Sequence, residues 1–146
     1  SVETLVADAA FLLQPDMERA GVTYLSDIAE GVRLYADPEQ VKRMLFNLMK
    51  NAVQAMSDGG TLMVRARSER NAVSIEVADS GPGIAESVRA QLFEPFFTTR
   101  EKGSGLGLAV VSQTVADNGG HLELESEEGR GTIFKVVLPA RARSDS

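Results

Sequence analysis

One long segment, Asp37–Met56, constrains the fold more than any other part of the chain, because its pattern is that of a helix with two different faces. Asp37 is suited to cap the helix and Pro38 to begin its first turn. Apolar residues recur along the segment at helical spacing: Val41, Met44, Leu45, Leu48, Met49, Ala52, Val53 and Met56. A stripe of this width is typical of a face buried against the rest of a domain.

A polar edge runs beside this apolar stripe. Asn47 and Asn51 are one helical turn apart, so their carboxamides project together, and Gln54 and Arg43 lie further round. Asparagine is disfavoured inside helices because its side chain competes for backbone hydrogen bonds. The helix alone leaves two interpretations open, a solvated polar edge and a binding site.

The composition restricts the class of protein. The chain has 146 residues, which favours a single domain spanning residues 1–146, and it contains no cysteine. Its net charge of −6 argues against a nucleic-acid partner, which would require a basic surface. No apolar run approaches the roughly 20 residues needed to span a bilayer, and no signal peptide is visible. We therefore expect a cytoplasmic protein, or the cytosolic part of a membrane-bound sensor.

The residues before the long helix predict a helix and a hairpin. Apolar residues at helical spacing begin at Val2, and Pro15 predicts that this first helix ends before it. Two runs of β-type composition, 22–29 and 32–36, flank Glu30-Gly31 and predict a β-hairpin.

The residues after the long helix alternate between strand and helix patterns. The predicted elements are antiparallel strands at 61–67 and 72–78, a short helix at 86–91, a helix at 106–117, and strands at 121–125 and 132–138. Asn118-Gly-Gly supplies a C-terminal cap for the 106–117 helix. This order predicts an α+β fold, a two-layer α/β sandwich in which helices cover one face of a mixed sheet.

Two polar residues are predicted to point into the core. Asp79 continues the inward face of the 72–78 strand, and an inward carboxylate is unfavourable without a donor partner. Gly81 and Gly83 follow it in a sharp turn, where the backbone can approach a flat ligand. Thr132 shares the inward face of the last strand. The alternatives are an ordinary turn aspartate and a satisfied core hydroxyl.

A glycine-rich segment precedes the 106–117 helix. Gly103, Gly105 and Gly107 at a helix start offer backbone N–H groups to phosphate. No Lys-Ser/Thr pair follows, and no strand precedes, so neither a Walker A motif nor a dinucleotide fingerprint is present. Arg100 and Lys102 would ordinarily be solvated loop charges. The aromatic residues of the 93–97 segment would ordinarily be core.

Together and in this order, four segments resemble one family. They are NLMKNA (47–52), DSGPGI (79–84), FEPFFTT (93–99) and GSGLGLAV (103–110). These are similar to the four ATP-binding boxes of the catalytic domain of sensor histidine kinases, in the superfamily that includes gyrase, Hsp90 and the MutL mismatch-repair proteins. Because the first box continues as NAVQAM, the chain looks most similar to the nitrogen-regulation and dicarboxylate-sensing type. The resemblance implies a Bergerat ATP-binding fold with a mobile ATP lid.

The resemblance also implies roles for individual residues. Asp79 would accept a hydrogen bond from the adenine amino group, with Thr132 supporting it through water. Asn51 would be the Mg²⁺ ligand, and Asn47 would steady the same metal–phosphate cluster, so that both are catalytic residues. The further ATP-binding residues implied are Gln54, Gly81, Gly83, Ile84, Thr99, Arg100, Lys102, Gly103, Ser104, Gly105, Leu106, Gly107 and Leu108.

Two departures from the family pattern bear on function. Gln54 and Ala55 stand where many members carry lysine or tyrosine, which leaves open which cation contacts the phosphates. Asn47 stands where the related hydrolysing ATPases carry a glutamate, and a carboxamide cannot take a proton from water. This difference favours a kinase over an ATPase.

The function implied is binding of ATP and Mg²⁺ and transfer of the γ-phosphate to a histidine on a separate dimerisation and phosphoacceptor domain. A response regulator would act downstream, and the isolated domain would be a monomer within a homodimeric parent. His121, the one histidine, is predicted to point outward from a strand and is not such an acceptor. The alternatives are a serine-directed kinase of the anti-sigma type and a catalytically silent nucleotide-dependent binding module.

Overall fold

A computed structural model describes residues 2–29, 31–32, 36–56, 58–81, 105–127 and 131–139, with the backbone alone at 105–110 and 126–127. Within these ranges the helices are α1 (Val2–Ala20), α2 (Pro38–Ala55) and α3 (Gly105–Asp117). The strands are β1 (Val22–Ile28), β2 (Gly60–Glu69), β3 (Ala72–Asp79), β4 (His121–Glu127) and β5 (Gly131–Pro139). The predicted helix at 86–91, the 93–99 box and the lid residues up to 104 lie outside the described residues.

The strands form one mixed sheet in the order β1-β2-β3-β5-β4. β1 pairs with β2 in parallel, and the other neighbouring pairs are antiparallel. Alternate residues of the central strands are buried on one face: Leu62, Val64, Ala66, Val73, Ile75, Val77, Phe134, Val136 and Leu138. The predicted two-layer sandwich is therefore confirmed, with the core between this face of the sheet and the helices.

Helix α2 forms as its sequence predicts. The Asp37 side chain caps it, because Asp37 Oδ1 accepts a hydrogen bond from Glu39 N at 2.9 Å. All eight residues of the predicted apolar stripe, from Val41 to Met56, are buried. Since the burial of one such side chain contributes about 1.5–3 kcal/mol, this face fixes the position of the polar edge beside it.

The prediction that α1 ends before Pro15 is wrong. The helix continues to Ala20, and its buried stripe continues across the proline, with Leu13 on one side and Met17 on the other. Pro15 has no N–H, so the carbonyl of Phe11, four residues earlier, has no hydrogen-bond donor at that position of the helix. Both residues are exposed. Water can donate a hydrogen bond to that exposed carbonyl, which lowers the cost of the proline. Burial of the opposite face of α1 therefore keeps the helix continuous through Pro15.

The predicted hairpin is not found among the described residues. β1 pairs in parallel with β2, from Val22 opposite Gly60 to Ile28 opposite Ala66. Val32 lies in no strand but is buried, and its carbonyl accepts a hydrogen bond from Val2 N at 3.3 Å, so it packs at the start of α1. Residues 33–35 lie outside the described residues. α2 supplies the crossover that a parallel pair requires, which local alternation could not reveal.

The C-terminal end of α3 is capped as predicted. Gly119 has φ +79°, Gly119 N donates to Ala116 O at 3.0 Å, and Gly120 N donates to Val115 O at 2.9 Å. Asn118 Nδ2 donates to Gln40 Oε1 at 3.0 Å, which ties this end of α3 to the first turns of α2. α3 is thereby held over the same sheet face as α2.

Candidate functional site

The turn that follows β3 holds the Asp79 carboxylate in a defined position. Asp79 Oδ1 accepts a hydrogen bond from Gly81 N at 2.9 Å. The next residue, Ser80, is joined to β2 twice: Ser80 N donates to Thr61 O at 3.2 Å, and Thr61 N donates to Ser80 Oγ at 2.8 Å. Because both bonds act within one residue of Asp79, its backbone cannot shift without breaking the end of the sheet.

Three glycines allow the chain to pack closely around Asp79 and Ser80. A Cβ added at Gly60 would lie 2.6 Å from Met56 Sδ, and one at Gly81 would lie 3.0 Å from Asp79 Oδ1. At Gly131, which has φ +100°, an added Cβ would overlap the Asp79 carbonyl oxygen. Sequence analysis included Gly81 and missed Gly60 and Gly131. The signals that could have found them are the doubled glycine at 59–60 and the glycine directly before Thr132.

Thr132 lies directly across from Asp79 in the β3–β5 register. It is buried, with 5% of its surface exposed, on the inward face that also carries Phe134. Side chains at directly opposite positions on one face are about 4.5–5.5 Å apart at Cβ. The predicted inward placement of Asp79 and Thr132 is therefore confirmed, and the sheet register brings the two together.

The polar edge of α2 is not simply solvated. Asn51 is 9% exposed, and Asn47 and Gln54 are half-buried. Asn51 Nδ2 and Gln54 Oε1 are both buried, and neither has a hydrogen-bond partner among the described residues. A buried polar group without a partner costs about 1–3 kcal/mol, so two on one edge of a helix indicate a place for a ligand.

The chemistry of this edge fits a magnesium–phosphate group. Carboxamide oxygens are ligands that Mg²⁺ accepts, and Mg²⁺ takes few of its ligands from the protein. Rotation of the Asn51 carboxamide by half a turn exchanges its nitrogen and oxygen with little change of shape, so the buried position can present an oxygen. Asn47, one turn earlier, places a second carboxamide on the same edge.

The end of α2 joins this polar edge to the Asp79 turn. A Cβ added at Gly81 would lie 3.2 Å from Ala55 O and 3.3 Å from Met56 Cγ, so the last turn of α2 packs against the turn after β3. Ser80 Oγ also lies 3.7 Å from Met56 Sδ. The Asp79 turn therefore packs against the C-terminal end of the helix that carries the carboxamides, although the two come from separate parts of the chain.

α3 begins at Gly105, within the glycine-rich segment. Its first turn contains Gly105, Leu106, Gly107 and Leu108, and the first turn of a helix has N–H groups without intrahelical acceptors. The remaining predicted ATP-binding residues lie outside the described residues: Gly83, Ile84, Thr99, Arg100, Lys102, Gly103 and Ser104. Their positions stay predictions.

His121 lies where the sequence predicts, outside this region. It is on the exposed face of β4, with 62% of its side chain exposed, and Nε2 is 2.9 Å from Glu123 Oε2. The inward face of β4 carries Leu122 instead. The histidine therefore projects from the opposite side of the sheet from the helices.

Known proteins share this sequence pattern and fold. The family model described as histidine kinase-, DNA gyrase B- and HSP90-like ATPase matches residues 36–142. Sporulation kinase E of Bacillus subtilis is 34% identical over 146 residues, which cover 99% of this chain and 20% of that protein. Sensor histidine kinase ZraS of Salmonella typhimurium is 43% identical over 112 residues, covering 76% of this chain and 24% of that protein.

A solved structure of a histidine kinase catalytic domain shares the fold of this chain. The nucleotide-free catalytic domain of histidine kinase ThkA superposes with a TM-score of 0.85 at 29% identity, covering 95% of this chain and 94% of that one. The chain therefore belongs to the family of histidine kinase-, DNA gyrase B- and HSP90-like ATPases. Its fold is the Bergerat ATP-binding fold, and it is homologous to the ATP-binding catalytic domains of sensor histidine kinases. The nitrogen-regulation subtype stays a prediction.

The chain spans about a fifth to a quarter of the length of these curated relatives. Across the ranges that the structure describes, no helix is both long enough and apolar enough to cross a membrane.

Proposed function

We propose that this chain binds ATP with Mg²⁺ and delivers the γ-phosphate to a histidine on a separate dimerisation and phosphoacceptor domain. The observation that supports this most is the pair of buried, unpartnered amide groups at Asn51 and Gln54 on α2, a helix whose C-terminal end packs against the Asp79 turn. The names of the homologous kinases point the same way.

Asp79 and Thr132 form the adenine end of the proposed site. A carboxylate can accept about four hydrogen bonds, so the bond from Gly81 N to Asp79 Oδ1 leaves acceptor capacity for the adenine amino group. The same bond orients the carboxylate before the nucleotide arrives. The Thr132 hydroxyl, on the neighbouring strand, is suited to hold a bridging water.

Asn47 and Asn51 form the phosphate end. They would hold Mg²⁺, which would neutralise part of the negative charge on the phosphates. The first turn of α3 would offer backbone N–H groups to the phosphates, since helix N-termini bind anions. Gly103 and Ser104 would extend this contact, with Arg100 and Lys102 as candidate cations.

The residues near the phosphates favour transfer over hydrolysis. Asn47 cannot act as a general base towards water, because a neutral carboxamide does not accept a proton. His121 lies on the exposed sheet face and cannot receive the phosphoryl group. We therefore infer that residues 1–146 form one domain of a longer cytoplasmic or membrane-anchored homodimeric kinase, with the acceptor histidine on another domain and a response regulator downstream.

The test is to incubate the purified chain with γ-labelled ATP, alone and with the phosphoacceptor domain of the same kinase. We expect nucleotide binding in both cases, and acid-labile label only on the acceptor domain. Asp79→Asn places an amide donor opposite the adenine amino group, and should weaken ATP binding by about 2 kcal/mol or more, which is roughly 30-fold.

Other outcomes distinguish the alternatives. Label on the chain alone, or steady release of phosphate without an acceptor, contradicts the proposal in favour of a self-sufficient enzyme. Acid-stable label on serine would indicate the anti-sigma type of kinase. Binding without transfer to any acceptor would indicate a nucleotide-dependent binding module.

A further inference from the structure

The β2–β3 ladder ends in an irregular pair, Thr61 and Ser80, one step beyond Leu62 opposite Asp79. Ser80 N donates to Thr61 O at 3.2 Å, as in a regular pair of opposed residues that exchange hydrogen bonds. The second bond of a regular pair would run from Thr61 N to the Ser80 carbonyl. Thr61 N instead donates to Ser80 Oγ at 2.8 Å. The Ser80 hydroxyl therefore takes the place of its own backbone carbonyl.

This exchange of acceptors decides the direction of the next N–H group. The Ser80 carbonyl and Gly81 N–H belong to one planar trans peptide, so they point in opposite directions. A Ser80 carbonyl within the ladder would direct Gly81 N–H away from β2 in the plane of the sheet, whereas the Asp79 side chain leaves that plane. Gly81 N donates to Asp79 Oδ1 at 2.9 Å, which requires the peptide to be rotated out of the ladder.

The Ser80 hydroxyl is fixed by two further contacts. Its proton is donated to Met56 Sδ, 3.7 Å away, at the C-cap of α2. A Cβ added at Gly60 would lie 2.8 Å from Ser80 Oγ and 2.6 Å from Met56 Sδ, so glycine leaves the space that the hydroxyl and the thioether occupy. The hydroxyl thus acts as acceptor and donor at once, and its orientation is set by both β2 and α2.

We propose that Ser80 is a positioning residue that aims the Asp79 carboxylate at adenine. Its hydroxyl holds the end of β2, which frees the Ser80–Gly81 peptide to donate to Asp79 Oδ1. With that oxygen held, the carboxylate presents its remaining lone pairs in one direction. This inference rests on the proposed function, because it concerns how the adenine end of that site selects its base. Asp79 makes the contact with the base, and Ser80 acts through it.

The experiment measures, by calorimetry, the affinity of the chain for ATP and for purine riboside triphosphate, which carries hydrogen in place of the 6-amino group. The wild type should prefer ATP roughly tenfold or more, because a hydrogen bond to a charged group is stronger than a neutral one. In Ser80→Ala, the carbonyl of residue 80 can replace the lost acceptor only by turning Gly81 N–H away from Asp79. We expect the preference for ATP to fall roughly fivefold, while the affinity for the purine analogue stays close to that of the wild type.

Two further variants and a second measurement separate positioning from stability. Ser80→Thr should restore the preference for ATP, since a threonine hydroxyl can accept the same bond. Ser74→Ala is the matched control: Ser74 lies on the same strand, roughly 20 Å from Ser80, and its Oγ donates to Glu69 Oε1 at 3.2 Å. This control should lower stability without changing the preference. In nucleotide-free Ser80→Ala, amide hydrogen exchange should become faster at Gly81 and stay unchanged at Thr61.

An unchanged preference for ATP in Ser80→Ala would overturn the role of Ser80. An equal loss of affinity for both nucleotides, or faster exchange at Thr61 as well, would also overturn it, because either result indicates that the hydroxyl only closes the end of the sheet. Failure of the wild type to prefer ATP, or full ATP affinity in Asp79→Asn, would instead contradict the adenine end of the proposed function. The two failures can therefore be told apart.

Discussion

Replacement of Gly131 by alanine tests whether the close packing around Asp79 holds the adenine end of the site. Gly131 begins β5 and has φ +100°, a region that residues with a side chain rarely adopt. An added Cβ would overlap the Asp79 carbonyl oxygen and lie 3.2 Å from both Asp79 C and Ser80 Cα. These are backbone atoms, so no side-chain rotation can relieve the overlap.

The expected loss of stability is the sum of two effects. The unfavourable φ contributes about 1–3 kcal/mol. Separation of β3 and β5 to make room contributes a similar amount, about 1–3 kcal/mol, as in other overpacked sites. We expect a loss of about 4 kcal/mol, out of a total stability of roughly 5–15 kcal/mol. For a chain of this length the midpoint of thermal unfolding should fall by about 12–16 °C.

Gly31→Ala is the matched control for this change. Gly31 also has a positive φ, +76°, but an added Cβ there meets nothing within 4 Å, so this variant reports backbone strain without overlap. We expect it to lose only about 1–2 kcal/mol. Thermal unfolding followed by circular dichroism, and ATP titration below the transition, measure both effects. If Gly131→Ala lost no more stability than Gly31→Ala and kept full ATP affinity, the close contact with Asp79 would be refuted.

Two further predictions concern the metal and the outer face of the sheet. Asn51→Ala should abolish the enhancement of ATP binding by Mg²⁺ and stop transfer, while Mg²⁺-free nucleotide binding persists; unchanged transfer rates would rule out the metal role. Arg67 Nη2 lies 2.8 Å from Asp27 Oδ2, and this hydrogen bond, followed by the Arg67 charge, lowers the pKa of Asp27. The pair should therefore stabilise the fold at neutral pH and lose its effect as the pH falls below the ordinary Asp value of about 3.9. In urea unfolding, the free energy of unfolding of the wild type should exceed that of Asp27→Asn at pH 7, and by a smaller amount at pH 3. An excess that grows in acid would contradict this.

Several elements could be predicted from the sequence because their signals are local. The 3.6-residue period of α2 identified its buried face, and the two-residue period of β3 and β5 placed Asp79 and Thr132 on the inward side. The cap at Asn118 and the following glycines ended α3 as expected. In each case the geometry of a single helix, strand or turn decides which side of the element a residue occupies.

The tertiary structure decided how these elements meet. Only the strand register shows that Thr132 is opposite Asp79, and only the close approach of β5 to β3 explains why residue 131 is glycine. The continuation of α1 through Pro15 places Arg19 at a cleft between α1 and α2 that Lys50 also lines, against the local signal of the proline. The parallel pairing of β1 with β2 likewise depends on α2 lying across the sheet. A residue's own neighbours in sequence fix its side of an element, but contacts between distant segments depend on burial across the whole domain, which no local pattern contains.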